Sequence, residues 1–192
     1  WFRPAPAFRT LGFDPSLSVG SARPAVFRSS TYVFSSPEAA ERAFDIMGGR
    51  AGLKEGEKVD LVYSRFSHPN AEILEDQIVP LESGATSAAV FNSGMAAIMT
   101  AVFTFGRPNS SIIYTTPLYG GTTTLIHQFL APLGVTGIPI PAGRTDELDA
   151  AIRNATDPCI VLVETPANPT MIMTDIRRAA DAARRHPKRP VV

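Results

Sequence analysis

The sequence predicts an α/β fold, a mostly parallel sheet with helices on both faces. Three observations predict it. From residue 61 onward, short apolar runs alternate with helix-patterned runs, the apolar runs carry little polar alternation, and turns rich in Pro, Gly or Asn separate them. A strand covered on both faces reads as a continuous apolar run because neither face meets water. The 192 residues suffice for one domain with a real core, and 44% hydrophobic with 19% charged residues is an ordinary globular balance.

Each element has its own signal. Residues 1–35 are rich in Pro, Ser and Arg, show no sustained period, and read as an extended arm. In "SSPEAAERAFDIM" Ser36 is the expected N-cap, with Pro37 at the first helical position and Glu38 in the first turn. "GGRAGLKEGEK" breaks that helix and reads as a mobile connection holding Lys54 and Lys58. Residues 61–66 look extended. "PNAEILEDQIVPLES" is an amphipathic helix with Ile73, Leu74, Ile78 and Leu81 on one face.

Strands and helices then alternate. "TSAAVF" is an expected strand and "SGMAAIMTAVFTF" a helix. "SSIIYT" and "YGGTTTLIHQFLAPL" repeat the pattern, as do "VTGIPI" and "TDELDAAIRNA", the last capped by Thr145. "CIVLVE" leads to the helix "TDIRRAADAARRH", and "PVV" starts a further strand. The expected division is an arm and helix over 1–60 and an incomplete sheet domain over 61–192.

Composition excludes several function classes. Formal net charge is zero, and no Arg/Lys cluster alternates with aromatics, so neither nucleic acid nor an anionic membrane is an expected partner. Residues 83–106 carry no charge, but "FNSG" interrupts them, which fits buried elements better than a membrane span. Cys159 is the one cysteine, and His68, His127 and His186 share no ligand spacing, so neither a disulfide framework nor a metal site is expected. "WFRPAPAFRT" has no apolar core of a signal peptide, and a cytoplasmic setting is the expectation.

Ligands of such sheets sit at the carboxyl ends of the strands, so the turns there are the candidate sites. In "FNSGMAAI", Asn92 or Ser93 caps a helix, and the free amides of Gly94 and Met95 face outward from its positive end as a phosphate cradle. An ordinary capped helix reads the same way. In "TTPLYGG", Tyr119 opens the next helix, either as a stacking face for a planar ligand or as a hinge tyrosine. In "VETPANPT", Pro166 and Pro169 hold Asn168 in a preset conformation from which its amide could bond a ligand oxygen, unless the turn is purely structural. In "VYSRFSHPN", Tyr63 and Arg65 lie two apart on an extended segment and point the same way, which suits a phosphate dianion, or else a solvent-facing pair. The common ligand is planar and phosphorylated.

Taken in order, "YSR", "SGMAAI", "LYGGT" and "ETPANPT…DI", behind the arm "GFDPSLSVGSARPAVFRSSTYVF", resemble the Cys/Met-metabolism family of pyridoxal-phosphate enzymes over nearly the whole chain. That family includes cystathionine γ-synthase, cystathionine lyases, methionine γ-lyase and sulfhydrylases. The resemblance implies an aspartate-aminotransferase-like (fold type I) large domain, here truncated, with pyridoxal 5'-phosphate as cofactor. It implies that Gly94 and Met95 hold the cofactor phosphate, and that Tyr119 stacks on the ring and assists proton transfer. Asn168 would bond the ring 3-oxygen. Tyr63 and Arg65 would reach the phosphate of a neighbouring subunit, in a homotetramer built as a dimer of dimers. The implied substrate is a small sulfur amino acid or activated homoserine, and the implied reaction β/γ-elimination or γ-replacement. The family's pyridine-pairing aspartate and Schiff-base lysine are expected beyond Val192, so residues 1–192 alone are expected to be inactive.

"SHPN" departs from the family's Asn-Pro-Thr, and the connection at 47–60 looks longer than usual. Glycine at 121, where methionine γ-lyases typically carry cysteine, is more usual in the cystathionine enzymes and other relatives, which disfavours methionine γ-lyase. Two other readings stand beside the enzyme. One is a non-catalytic truncated paralogue that only oligomerises with a full-length relative. The other is a different phosphate-ligand binder on a Rossmann-like sheet, disfavoured by the missing glycine fingerprint.

Overall fold

The computed structural model describes residues 18–57 and 60–192, which group into two compact units divided between Val90 and Phe91. The first part of the expected arm, residues 1–17, and Lys58 lie outside the described residues.

In the first unit, helix α1 (Pro37–Met47) begins as expected, with the Ser36 side chain accepting the Ala39 amide. The glycine-rich connection after it, expected to be mobile, is folded. Arg42 donates to both carboxylate oxygens of Glu57, at 2.9 and 2.7 Å, and to the Gly52 carbonyl, while Glu57 also accepts the Lys54 amide. Helix α2 (Pro69–Ile78) starts at a His68 cap, and a 3-10 turn (Val79–Leu81) follows. Leu74, Ile78 and Leu81 remain exposed, so the apolar face read from the sequence is only partly covered.

The unit boundary falls thirty residues later than the expected break at 60/61, for identifiable reasons. Thr31 bridges Tyr63, Asn70 exchanges two hydrogen bonds with the Phe27 backbone, and Glu75 accepts the Val90 amide. The first two contacts tie residues 63–70 to the arm, and the third ties Val90 back to α2. They also correct one strand: "TSAAVF" is irregular, with no ladder partner among the described residues and the Val90 N–H spent on a side chain.

The second unit is the α/β body. Helix α3 (Gly94–Phe105) is followed by β1 (Ser111–Thr116) and by helical turns that open with α4 (Gly120–Thr124). These continue as a π-helical segment (Leu125–Leu130) and a 3-10 turn (Ala131–Leu133) where one regular helix was expected. Then come β2 (Thr136–Pro141), α5 (Thr145–Asn154), β3 (Pro158–Leu162) and α6 (Ile176–Arg185). Thr145 is the first helical residue of α5 and not its cap, because the Pro141–Arg144 turn brings Arg144 into the cap position.

Among the described residues the strands form one parallel sheet in the order β2-β1-β3. Val191 adds a parallel bridge to Ile160, the start of the strand expected in "PVV". Alternation along β1 divides the core. Ile112 and Tyr114 pack with Ile98 and Val102 of α3 and with Leu125, Ile126 and Leu130. Ile113 packs with Leu148 and Ile152 of α5 and Ala179 and Ala182 of α6. Helices therefore cover both faces, as expected. Ile112 and Ile113 are fully buried, each contributing roughly 1.5–3 kcal/mol by removal from water. The outer face of α3 keeps Met99 and Phe103 exposed, Phe105 opens onto an apolar cleft with Ile160, Leu162 and Val192, and no helix among the described residues is long and apolar enough to cross a membrane.

Candidate cofactor site

The strands β1 and β3 are parallel neighbours, so the turns after them leave the same edge of the sheet. Tyr119 sits in the first turn as the residue preceding α4, with its side chain largely exposed. Asn168 sits in the second, between Pro166 and Pro169. Ala167 is completely buried and anchors that turn, donating its amide to Ile172 and accepting the Met171 amide.

The start of α3 joins them. Ser93, one of the two expected caps, accepts the Ala96 amide. The amides of Gly94 and Met95 precede the first intrahelical bonds and have no acceptor among the described residues. A Cβ at Gly94 would meet nothing within 4 Å, so open space lies beside the start of the helix. A Cβ at Gly121 would lie 2.8 Å from Tyr119 Cε1 and 2.9 Å from Met95 Sδ. Glycine there lets the α3 start and the tyrosine ring share one wall.

One site residue escaped the sequence reading. Glu164, taken only as the end of a strand, accepts the Tyr119 amide on Oε2 at 2.9 Å and the Asn168 amide on Oε1 at 3.0 Å. Its own amide donates to Oγ1 of Thr115, which is buried in β1. The available signal was a lone carboxylate closing an apolar strand at the ligand edge.

Tyr63 and Arg65 belong to the first unit and depart from their expected form. Residues 63–66 make a turn, with the Phe66 and Ser67 amides both donating to the Tyr63 carbonyl. The extended segment is lost because Tyr63 pairs with Thr31 and the chain must reverse into α2. The Arg65 guanidinium lies 5.1 Å from the Tyr63 ring centre and 5.5 Å from that of Phe66. The pair is stacked, and both side chains stay exposed.

A family model described as "Cys/Met metabolism PLP-dependent enzyme" matches residues 10–192. The chain belongs to this family. Its cofactor is pyridoxal 5'-phosphate. L-methionine gamma-lyase of Pseudomonas deceptionensis is 34% identical over 175 residues, 91% of this chain and 41% of that protein. Cystathionine beta-lyase MetC of Staphylococcus haemolyticus is 33% identical over 166 residues, 86% and 37% respectively. The crystal structure of metB from Corynebacterium glutamicum superimposes with a TM-score of 0.76 at 27% identity, covering 96% of this chain and 44% of that one. This Cys/Met-family chain thus spans about two fifths of the length of the relatives it matches.

The donors present suit that cofactor. Two helix-start amides without an acceptor among the described residues stand next to open space, on the same edge as an exposed phenol ring and an asparagine. Lysine is missing from this edge among the described residues. Lys188 pairs with Asp157, just before β3 and therefore at the opposite, amino end of the sheet. Lys54 lies in the connection closed by Arg42 and Glu57.

Proposed function

We propose that the chain is the N-terminal part of an enzyme that uses pyridoxal phosphate for β/γ-elimination or γ-replacement on sulfur amino acids or activated homoserines. The observation that carries the reading is the meeting of Gly94, Met95, Tyr119 and Asn168 around one edge of the sheet, in a chain of this family. Gly94 and Met95 would hold the phosphate through their amides. Tyr119 would cover the ring, and its phenol would take or return a proton. Asn168 would donate its side-chain amide to the ring 3-oxygen. When bound, the cofactor supplies an electron sink for the substrate's α-carbon.

Tyr63 and Arg65 would complete the phosphate contacts in trans, in a homo-oligomer. Support comes from an exposed, aromatic-backed guanidinium with no carboxylate partner among the described residues. The exposed Met99, Phe103 and Phe105 on α3 are apolar surface that assembly would cover. A cytoplasmic setting fits Cys159 as a buried free thiol.

The relatives' names divide between methionine and cystathionine as substrate, while Gly121 favours the cystathionine enzymes. The test is expression of the whole reading frame that contains this chain. The purified protein should be yellow and should process cystathionine, methionine, or O-acetylhomoserine with a thiol. Ammonia with a 2-oxo acid reports elimination, and a new thioether reports replacement. A colourless protein that ignores added pyridoxal phosphate would sink the proposal.

A further inference from the structure

We infer that Glu164 is a positioning residue that locks the tyrosine-bearing and asparagine-bearing turns of the site into one rigid unit. The inference rests on the cofactor reading above and adds to it a residue that never needs to touch the cofactor. Three hydrogen bonds define it. The Glu164 amide is fixed to Thr115 Oγ1 at 3.0 Å, which registers the end of β3 against the buried end of β1. Its two carboxylate oxygens then point to different turns, Oε2 to the Tyr119 amide and Oε1 to the Asn168 amide.

The chemistry asks for a carboxylate. Both partners are N–H donors, so both oxygens must accept, and an ionised carboxylate does so with charge-assisted bonds. Glutamine of the same shape offers one oxygen and one NH2, so one of the two backbone donors would face another donor. The Tyr119 amide also stands where the α4 turns begin, a place that favours negative charge. A carboxylate used only for solubility would not divide its two oxygens between turns 45 and 4 residues away in sequence. The consequence is mutual: the backbone at Tyr119 and the backbone at Asn168, from which the ring and the side-chain amide project, cannot shift independently.

The test uses the protein from its whole reading frame, with Glu164→Gln and Glu164→Asp beside Tyr119→Ala and Asn168→Ala. In Glu164→Gln, hydrogen exchange should rise by about tenfold or more at the Tyr119 or the Asn168 turn, whichever meets the new NH2, while exchange in β1 stays unchanged. Pyridoxal phosphate should bind about tenfold more weakly, and the visible band of the bound cofactor should titrate at a displaced pH. Glu164→Asp keeps both acceptor oxygens on a shorter arm and should fall between; it is read by the same criteria if the glutamine variant does not fold. Unchanged exchange at both turns, or cofactor affinity within about twofold of wild type with an unmoved band, overturns the inference. Failure of the cofactor reading looks different: Tyr119→Ala and Asn168→Ala would then leave cofactor binding intact, while the exchange measurement still reports on the Glu164 contacts.

Discussion

Gly121 and Tyr119 are in contact such that a methyl group on the glycine would stand 2.8 Å from the tyrosine Cε1. The obstructing atoms, that ring edge and the Met95 sulfur, are ends of side chains that can swing away. Gly121 is helical, so Gly121→Ala should gain about 0.5–1 kcal/mol of helix stability while displacing the ring. The expected outcome is a melting temperature unchanged or raised, with pyridoxal phosphate bound several-fold more weakly. Equal affinity in both proteins would show that the ring position does not matter for binding.

The Arg42–Glu57 pair predicts a pH dependence. The Arg42 guanidinium, helped by the Lys54 amide, holds the Glu57 carboxyl at about 2, below its ordinary 4.5. A depressed carboxyl contributes stability that is present above the ordinary value and lost as pH falls through the depressed one. Order in residues 48–57 should therefore persist at pH 5 and above and decline between about 4.5 and 2. Limited proteolysis at graded pH checks this, and Glu57→Gln should be cleaved in the connection even at pH 7. Both groups are solvent-accessible, so high salt should weaken the effect.

The placement of Lys188 predicts that residues 1–192 by themselves show no turnover of cystathionine or of an activated homoserine. Lys188 is held at the amino end of the sheet by Asp157, across from Tyr119 and Asn168. Borohydride reduction of this polypeptide with pyridoxal phosphate, followed by peptide mapping, should give no dominant labelled lysine. A specific pyridoxyl label with turnover would contradict the reading.

Arg65→Ala in the protein from the whole reading frame should weaken pyridoxal phosphate binding about tenfold, the scale of a lost charge-assisted contact. If the contact is made in trans, mixing Arg65→Ala with Asn168→Ala subunits should restore a fraction of intact sites. Titration of the mixture by cofactor fluorescence reads this directly. No recovery on mixing, with each variant weak alone, would place the contact within one chain.

Much of the α/β body was legible because its signals are local. Ser36 and Ser93 cap their helices, and "SSIIYT", "VTGIPI" and "CIVLVE" each overlap most of a strand of the sheet, because apolar runs bounded by turns need no distant information. "TSAAVF" has the same composition and forms no strand, since pairing depends on a neighbour that composition does not supply. The turn at Tyr63 was hidden for a similar reason: Thr31, thirty-two residues earlier, decides where that segment is held.

The parallel α/β character, the family, and the positions of Gly94, Met95, Tyr119 and Asn168 in turns after strands or at helix starts could be read along the linear chain. Backbone propensity and turn chemistry act over a few residues, and a linear reading captures them. Only the tertiary structure decided that Glu164 joins two of those turns, that Arg42 folds the glycine-rich connection, and that Arg65 lies against its own Tyr63 and Phe66. A carboxylate or a guanidinium has several possible partners along the chain. Which of them it meets is fixed by the packing that brings distant backbone amides and rings within hydrogen-bond or stacking reach.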